Sequence, residues 1–185
     1  MRKIVTAALT AAALVATFAG CATSKSVAPR EYLDEKTAAT ITVVADPWIF
    51  TRKNAPPQLD FFNLYAIDVN RMGDHKKYFV VVHYWPGQEM TASAPTLVLN
   101  GGSQELKLTA LSEDGRKLGI AQPLDKAAPS SSRSWFYPVD TASLQAIAQT
   151  RQLAAALVSE TSTADYAVWR DGSSELSEFA VAFDR

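Results

Sequence analysis

The chain has 185 residues, with 18 basic and 19 acidic side chains and a net charge of −1. No basic face stands out, which argues against nucleic acid as a partner. A single cysteine excludes a disulfide within the chain and leaves no thiolate pair for a structural zinc site.

Arg2 and Lys3 open the chain, and the uncharged run Ile4 to Ala16 (IVTAALTAAALVA) follows. A basic start, a short apolar stretch and the small residues Ala19 and Gly20 have the form of a secretory signal peptide. The alternative, an uncleaved membrane anchor, wants about 20 predominantly apolar residues, and this run is shorter and dominated by alanine. At Phe18-Ala19-Gly20-Cys21 the segment resembles the lipobox of bacterial lipoprotein precursors. Phe18 departs from the pattern, since an aliphatic is usual at that place. The resemblance implies cleavage between Gly20 and Cys21 and a lipid on the Cys21 thiol, with the new amino terminus usually acylated as well. Each buried methylene contributes about 0.8 kcal/mol, so one chain holds marginally and two or more hold firmly. Ala22 stands where an aspartate tends to retain enterobacterial lipoproteins in the inner membrane, so the resemblance points to the outer membrane.

Removal of residues 1–20 leaves 165 residues with 16 basic and 19 acidic side chains, a net charge near −3. That length is enough for one domain with a substantial core. Residues 21–30 carry Cys21 and the polar stretch ATSKSVAPR, which reads as a flexible tether reaching up to about 30 Å. Residues 31–185 form the expected single domain, in which Glu31, Asp34 and Glu35 read as solvated carboxylates.

Thr40 to Ala45 is β-branched and is stopped by Asp46-Pro47. A short strand resumes at Trp48 to Thr51, and Arg52 to Asp60, with two prolines, reads as a loop. Phe61 to Arg71 alternates, with Tyr65, Ile67 and Val69 on one face and Ala66, Asp68 and Asn70 on the other. Met72-Gly73-Asp74 turns the chain into Lys77 to Trp85 (KYFVVVHYW), apolar on both faces and therefore central. Thr96 to Leu99 and Glu105 to Leu111 pair through Asn100-Gly101-Gly102-Ser103. Arg133 to Val139 is a further strand. Asp140 caps a short helix carrying Leu144, Ile147 and Ala148 at helical spacing. Leu153 to Ser159 reads as a buried strand, with helix as the alternative. Tyr166 to Arg170 and Leu176 to Phe183 form a last hairpin through Asp171-Gly172. About eight short strands and one short helix predict a mainly β fold, an antiparallel β-sandwich of immunoglobulin-like topology first and a small β-barrel second.

Chemistry is sparse. His83 shares a strand face with Phe79, Val81 and Trp85, the setting of a core or rim histidine. A hydrolase built on it would need an open cleft and a serine or aspartate within hydrogen-bond reach. His75 lies in the polar turn GDHKK, and Asp74 beside it makes a poor chelate, so no metal or other cofactor is expected. Ser130 to Ser132 and Ser134 sit near Pro129, outside any nucleophile-elbow pattern. Gly101-Gly102 lacks the Gly-Lys-Ser/Thr of a phosphate loop. Trp48, Trp85, Trp135 and Trp169 read as core residues. As an alternative, Tyr84 and Trp85 at a strand end offer an aromatic edge for a sugar ring or a peptide.

These observations lead to three expectations in order. The first is a non-enzymatic protein-interaction or structural module of the cell envelope, anchored to the outer membrane and facing the periplasm, with another envelope protein as partner. A glycan- or peptide-binding module comes second, and a hydrolase around His83 third.

Overall fold

The computed structural model describes residues 28–56, 60–84, 94–102, 104–124, 132–150 and 152–182. The signal segment, Gly20 and Cys21, most of the tether, Trp85, Ser130 and Ser131 lie outside the described residues.

Among the described residues ten antiparallel strands join into one sheet. Its spine is the hairpin of β4 (Phe61–Arg71) and β5 (Asp74–Tyr84), paired without interruption from Phe61↔Tyr84 to Arg71↔Asp74. Met72 and Gly73, at φ 53° and 91°, form the two-residue connection. Positive φ at both places gives the turn whose twist matches the strands, and glycine accepts it cheaply. Most of β4 and β5 is buried on both faces, as a central strand pair requires.

The other edge of β4 is shared. β2 (Ala39–Val43) pairs with its second half and β3 (Trp48–Arg52) with its first. Between them the chain stays hydrogen-bonded to β4 only through the Val44 N–H on the Ala66 carbonyl, 2.9 Å, before Asp46-Pro47 breaks the strand. The sheet therefore forks. One branch ends in β1 (Arg30–Asp34), paired with β2. The other continues from β3 to β10 (Thr163–Arg170), β9 (Ala154–Val158), β6 (Thr96–Gly101) and β7 (Gln104–Leu108).

On the far side of β5 lies β8 (Arg133–Pro138). Its outer edge is met by the chain leaving β7, through Leu111 N–H to Phe136 O at 2.8 Å and Phe136 N–H to Ser112 O at 3.0 Å. The Tyr137 hydroxyl donates to Pro95 O, 2.9 Å, just ahead of β6. These contacts tie the two ends of the path together, so the sheet curls into a half-barrel. The mainly β antiparallel expectation holds at this level. The strands form one hydrogen-bonded, curled sheet in which β4 and β10 each carry the pairing onward, and the immunoglobulin-like sandwich is not confirmed.

Among the described residues there are two α-helices where one is expected. α1 (Thr141–Ala148) starts on Asp140, whose carboxylate accepts the Ser143 N–H at 2.7 Å, and buries Leu144, Ile147 and Ala148. α2 (Ser173–Ala182) occupies the segment read as the second strand of a last hairpin. Leu176, Phe179 and Ala180 are its buried residues, at helical spacing, and both edges of β10 are already taken by β3 and β9. The Asp171 carboxylate accepts the Ser173 N–H at 2.8 Å and the Trp48 indole N–H at 2.7 Å, fixing α2 to the sheet. Leu153 to Ser159 resolves as strand β9, lying between β10 and β6.

β1 begins one residue inside the expected tether, and its last residue overturns a second reading. Asp34 is fully buried rather than solvated. Its carboxylate accepts the N–H groups of Ala121 at 2.6 Å, Gln122 at 3.1 Å and Lys36 at 3.1 Å. Burial alone would raise the carboxyl's pKa; these backbone donors outweigh it and hold it below the ordinary value. The bulkiest fully buried side chains of the core are aromatic: Trp135, Tyr137, Tyr166, Phe50, Phe62, Phe79 and Phe179.

Candidate functional site

The β4–β5 hairpin carries a histidine–aspartate pair at each end. At the open end, Asp60 immediately precedes β4 and His83 lies opposite Phe62. His83 Nε2 is 2.8 Å from Asp60 Oδ1. The Tyr166 hydroxyl, brought in by β10, donates to the same oxygen at 2.9 Å and lies 3.1 Å from His83 Nε2. Arg52, at the end of β3 and opposite Tyr166, donates to Asp60 Oδ2 at 2.9 Å. One carboxylate thus gathers side chains from β3, β5 and β10. Burial works to raise the Asp60 pKa, but the His83 hydrogen bond and charge, with Arg52 and Tyr166, bring it below the ordinary value. Tyr166 moves the opposite way, raised first by burial and then by the adjacent Asp60 carboxylate.

In composition this group is an acid–base constellation, but it is enclosed. His83 is 2% exposed, beside the Trp135 ring at 5.7 Å between centroids, and Tyr166 is 1% exposed. The hydrolase reading asks for an aspartate within reach of His83 and for an open cleft. The structure provides the aspartate, while His83 itself sits in the core. A buried network that joins three strands favours one strand register.

The turn end is open. There Asp68 is buried, and its Oδ2 lies 2.7 Å from Nδ1 of the half-exposed His75. Asp74, beside His75, instead pairs with Lys76 at 3.2 Å. The two neighbours are therefore engaged separately. Around them lies a groove of about 520 Å³ between the hairpin end, the start of the strand-to-helix link after β8, and the 3-10 helix Gly115–Leu118. Its apolar lining comes from Val69, Tyr78, Leu118, Pro138 and Val139, with Leu111 standing exposed on the wall. Arg71, His75, Lys76, Lys77 and Lys117 supply the polar lining together with Asp74.

The Arg71 side chain passes close to Gly119. A Cβ at residue 119 would come within 2.8 Å of the guanidinium Nε, and Gly119 has φ 97°. The left-handed φ is what favours glycine here, as the cap that closes the 3-10 helix.

The aromatic residues divide. Trp48 and Trp135 are core, as expected. Tyr84 is buried and stacked on Phe61 with centroids 4.5 Å apart, so its ring face is already occupied; its expected companion Trp85 lies outside the described residues. Trp169, also read as core, is 67% exposed. The cause is a register shift between Val168 and Arg170 in the β10–β3 pairing, which leaves Trp169 out of the ladder. Ser134 stands in β8 opposite Val82.

Among the described residues no group of three or more His, Cys, Asp or Glu is placed to hold a metal ion, and no helix is long and apolar enough to cross a membrane. Comparison with protein-family models, with curated proteins and with solved structures found no match.

Proposed function

We propose that this chain is a non-enzymatic interaction module of the cell envelope, attached to the outer membrane through lipidated Cys21 and facing the periplasm, with the groove at the β4–β5 turn as its binding face. The anchoring half of the proposal rests on Phe18-Ala19-Gly20-Cys21 and the polar stretch that follows. The observation that supports the binding half is the groove itself: an open concavity of about 520 Å³ with Leu111, 59% exposed, on its wall. Its volume falls in the range of about 300–1,000 Å³ common for ligand sites.

The test has two parts. Mass spectrometry of the N-terminal peptide from membrane-extracted protein is expected to give a cleaved chain starting at an acylated Cys21; an unmodified Cys21 in the mature chain would end the anchoring reading. A photo-crosslinking amino acid at Leu111 in intact cells is expected to capture one envelope protein, and the same group at Lys107 on β7 is not. Equal yields from both places would remove the groove as the binding face.

A second reading, glycan binding, draws its support from Trp169 in place of Tyr84. An exposed indole beside the Arg170–Asp46 ion pair, 3.0 Å, is a surface on which a sugar ring stacks. Quenching or a blue shift of tryptophan emission on titration with envelope glycans, abolished by Trp169→Ala, would favour it.

A further inference from the structure

We infer that the groove at the β4–β5 turn takes an extended, acidic segment of a partner protein, with aliphatic side chains of that segment seated on the groove floor. The inference rests on the envelope-module reading and adds the chemistry of the partner.

Charge complementarity carries it. The groove gathers Arg71, Lys76, Lys77 and Lys117 with His75, against one lining carboxylate, Asp74, which is already paired with Lys76. The chain as a whole has a net charge of −1. A cationic concavity on a chain of slightly negative charge is a local field, and it selects an anionic occupant. The Arg71 guanidinium passes close over Gly119, where a Cβ would come within 2.8 Å of Nε, so the 3-10 helix and the hairpin end meet at the groove's cations.

The apolar lining decides between classes of anion. A phosphate or lipid headgroup needs donors and no more. Val69, Leu118, Pro138 and Val139 in the floor, and exposed Leu111 on the wall, reward an occupant that brings apolar side chains along with its carboxylates. Met72, fully exposed at the tip of the hairpin, extends that apolar surface past the groove.

Direction argues the same way. The chain ahead of the domain enters at Arg30, opposite Val43, whereas the other end of β1, at Asp34↔Ala39, is the end next to Asn70 and the β4–β5 turn. The groove is therefore at the end of β1 remote from the tether. An anchored domain with this layout presents the groove away from its own attachment point, toward a partner.

The experiment uses the full-length product as it matures in the cell, in non-ionic detergent, and a fluorescein-labelled short peptide alternating glutamate and leucine. Fluorescence anisotropy is expected to show saturable binding that weakens as salt is raised. Lys117→Gln and Arg71→Gln together are expected to weaken it about tenfold, and Lys107→Gln, on a surface lysine outside the groove, to leave it unchanged. Replacing the peptide's glutamates by glutamine should abolish binding, and replacing its leucines by serine should weaken it. Equal loss with Lys107→Gln, or tight binding of the glutamine peptide, overturns the inference. So does efficient competition by micelles doped with phosphatidylglycerol, which would make the groove a headgroup site. If the acidic peptide fails to bind while Leu111 still crosslinks to an envelope protein in cells, this inference falls and the envelope-module reading stands. Peptide binding without any crosslink in cells supports the acidic preference and counts against that reading.

Discussion

The two ends of the β4–β5 hairpin hold the same pair of residue types and use them in opposite ways. At the open end the histidine is the buried member: His83 is enclosed, and Asp60 collects it together with Tyr166 and Arg52. At the turn end the aspartate is the buried member, and His75 reaches in from the surface. The first arrangement joins three strands and buries His83 and Tyr166. The second leaves its cations on the rim of a groove. A histidine–aspartate pair is thus not a functional signature by itself; what decides its role is which partner faces water and how many further elements converge on it.

If this contrast is right, stability and binding should separate along one hairpin. Asp60→Ala is expected to have the largest effect, because it leaves His83 and the Tyr166 hydroxyl buried without their common acceptor. Breaking a buried pair of this kind costs about 3 kcal/mol or more, read as a shift in the urea unfolding midpoint. Asp34→Ala should follow at about 2 kcal/mol, since the Ala121 and Gln122 N–H groups lose their acceptor in the interior. A third test varies pH. Asp60, Asp34 and Asp171 all have carboxyl groups held below their ordinary pKa in the folded state. Groups depressed on folding contribute stability that is present above the unfolded value, about 4, and is lost as pH falls through the lower folded values. Urea midpoints should therefore be level near neutrality and fall steeply below about pH 4, and Asp60→Asn should flatten that slope. Tyr166→Phe keeps the ring and removes one hydroxyl, for about 1 kcal/mol. Smallest is Lys117→Gln, expected to move stability by no more than about 0.5 kcal/mol, although it lies in the proposed binding face. A large loss of stability from Lys117→Gln, or none from Asp60→Ala, would dissolve the contrast.

The hairpin that frames both ends was legible because local signals agree: alternation over Phe61 to Arg71, an apolar run to His83, and Met72-Gly73 between them. The fork of the sheet was also written locally, as a β-branched strand broken by Asp46-Pro47 and resumed at Trp48. α2 was missed because Leu176, Phe179 and Ala180 lie in a segment short enough to fit either period, and the Asp171-Gly172 pair that caps the helix reads equally well as a hairpin turn. The buried network was half visible. His83 was singled out, but its partners come from the end of a loop and from a strand 83 residues further on, a meeting set by the sheet order alone. Asp34 was hidden for the same reason, its acceptor role depending on backbone 87 and 88 residues away. His75, Lys76 and Lys77 read as a polar turn in sequence, and Lys117 joins them only through tertiary packing.

Asp34 also sets how a pull on the molecule is carried. Any tension on the chain ahead of Arg30 enters through β1, whose five rungs to β2 lie across the line of pull and share the strain together rather than parting one by one. At the far end of those rungs the Asp34 carboxylate is pegged to Ala121 and Gln122, just beyond the 3-10 helix that carries Lys117 and Leu118. On the proposed reading, the anchored end of the chain and the wall of the groove are in this way coupled in series through Asp34.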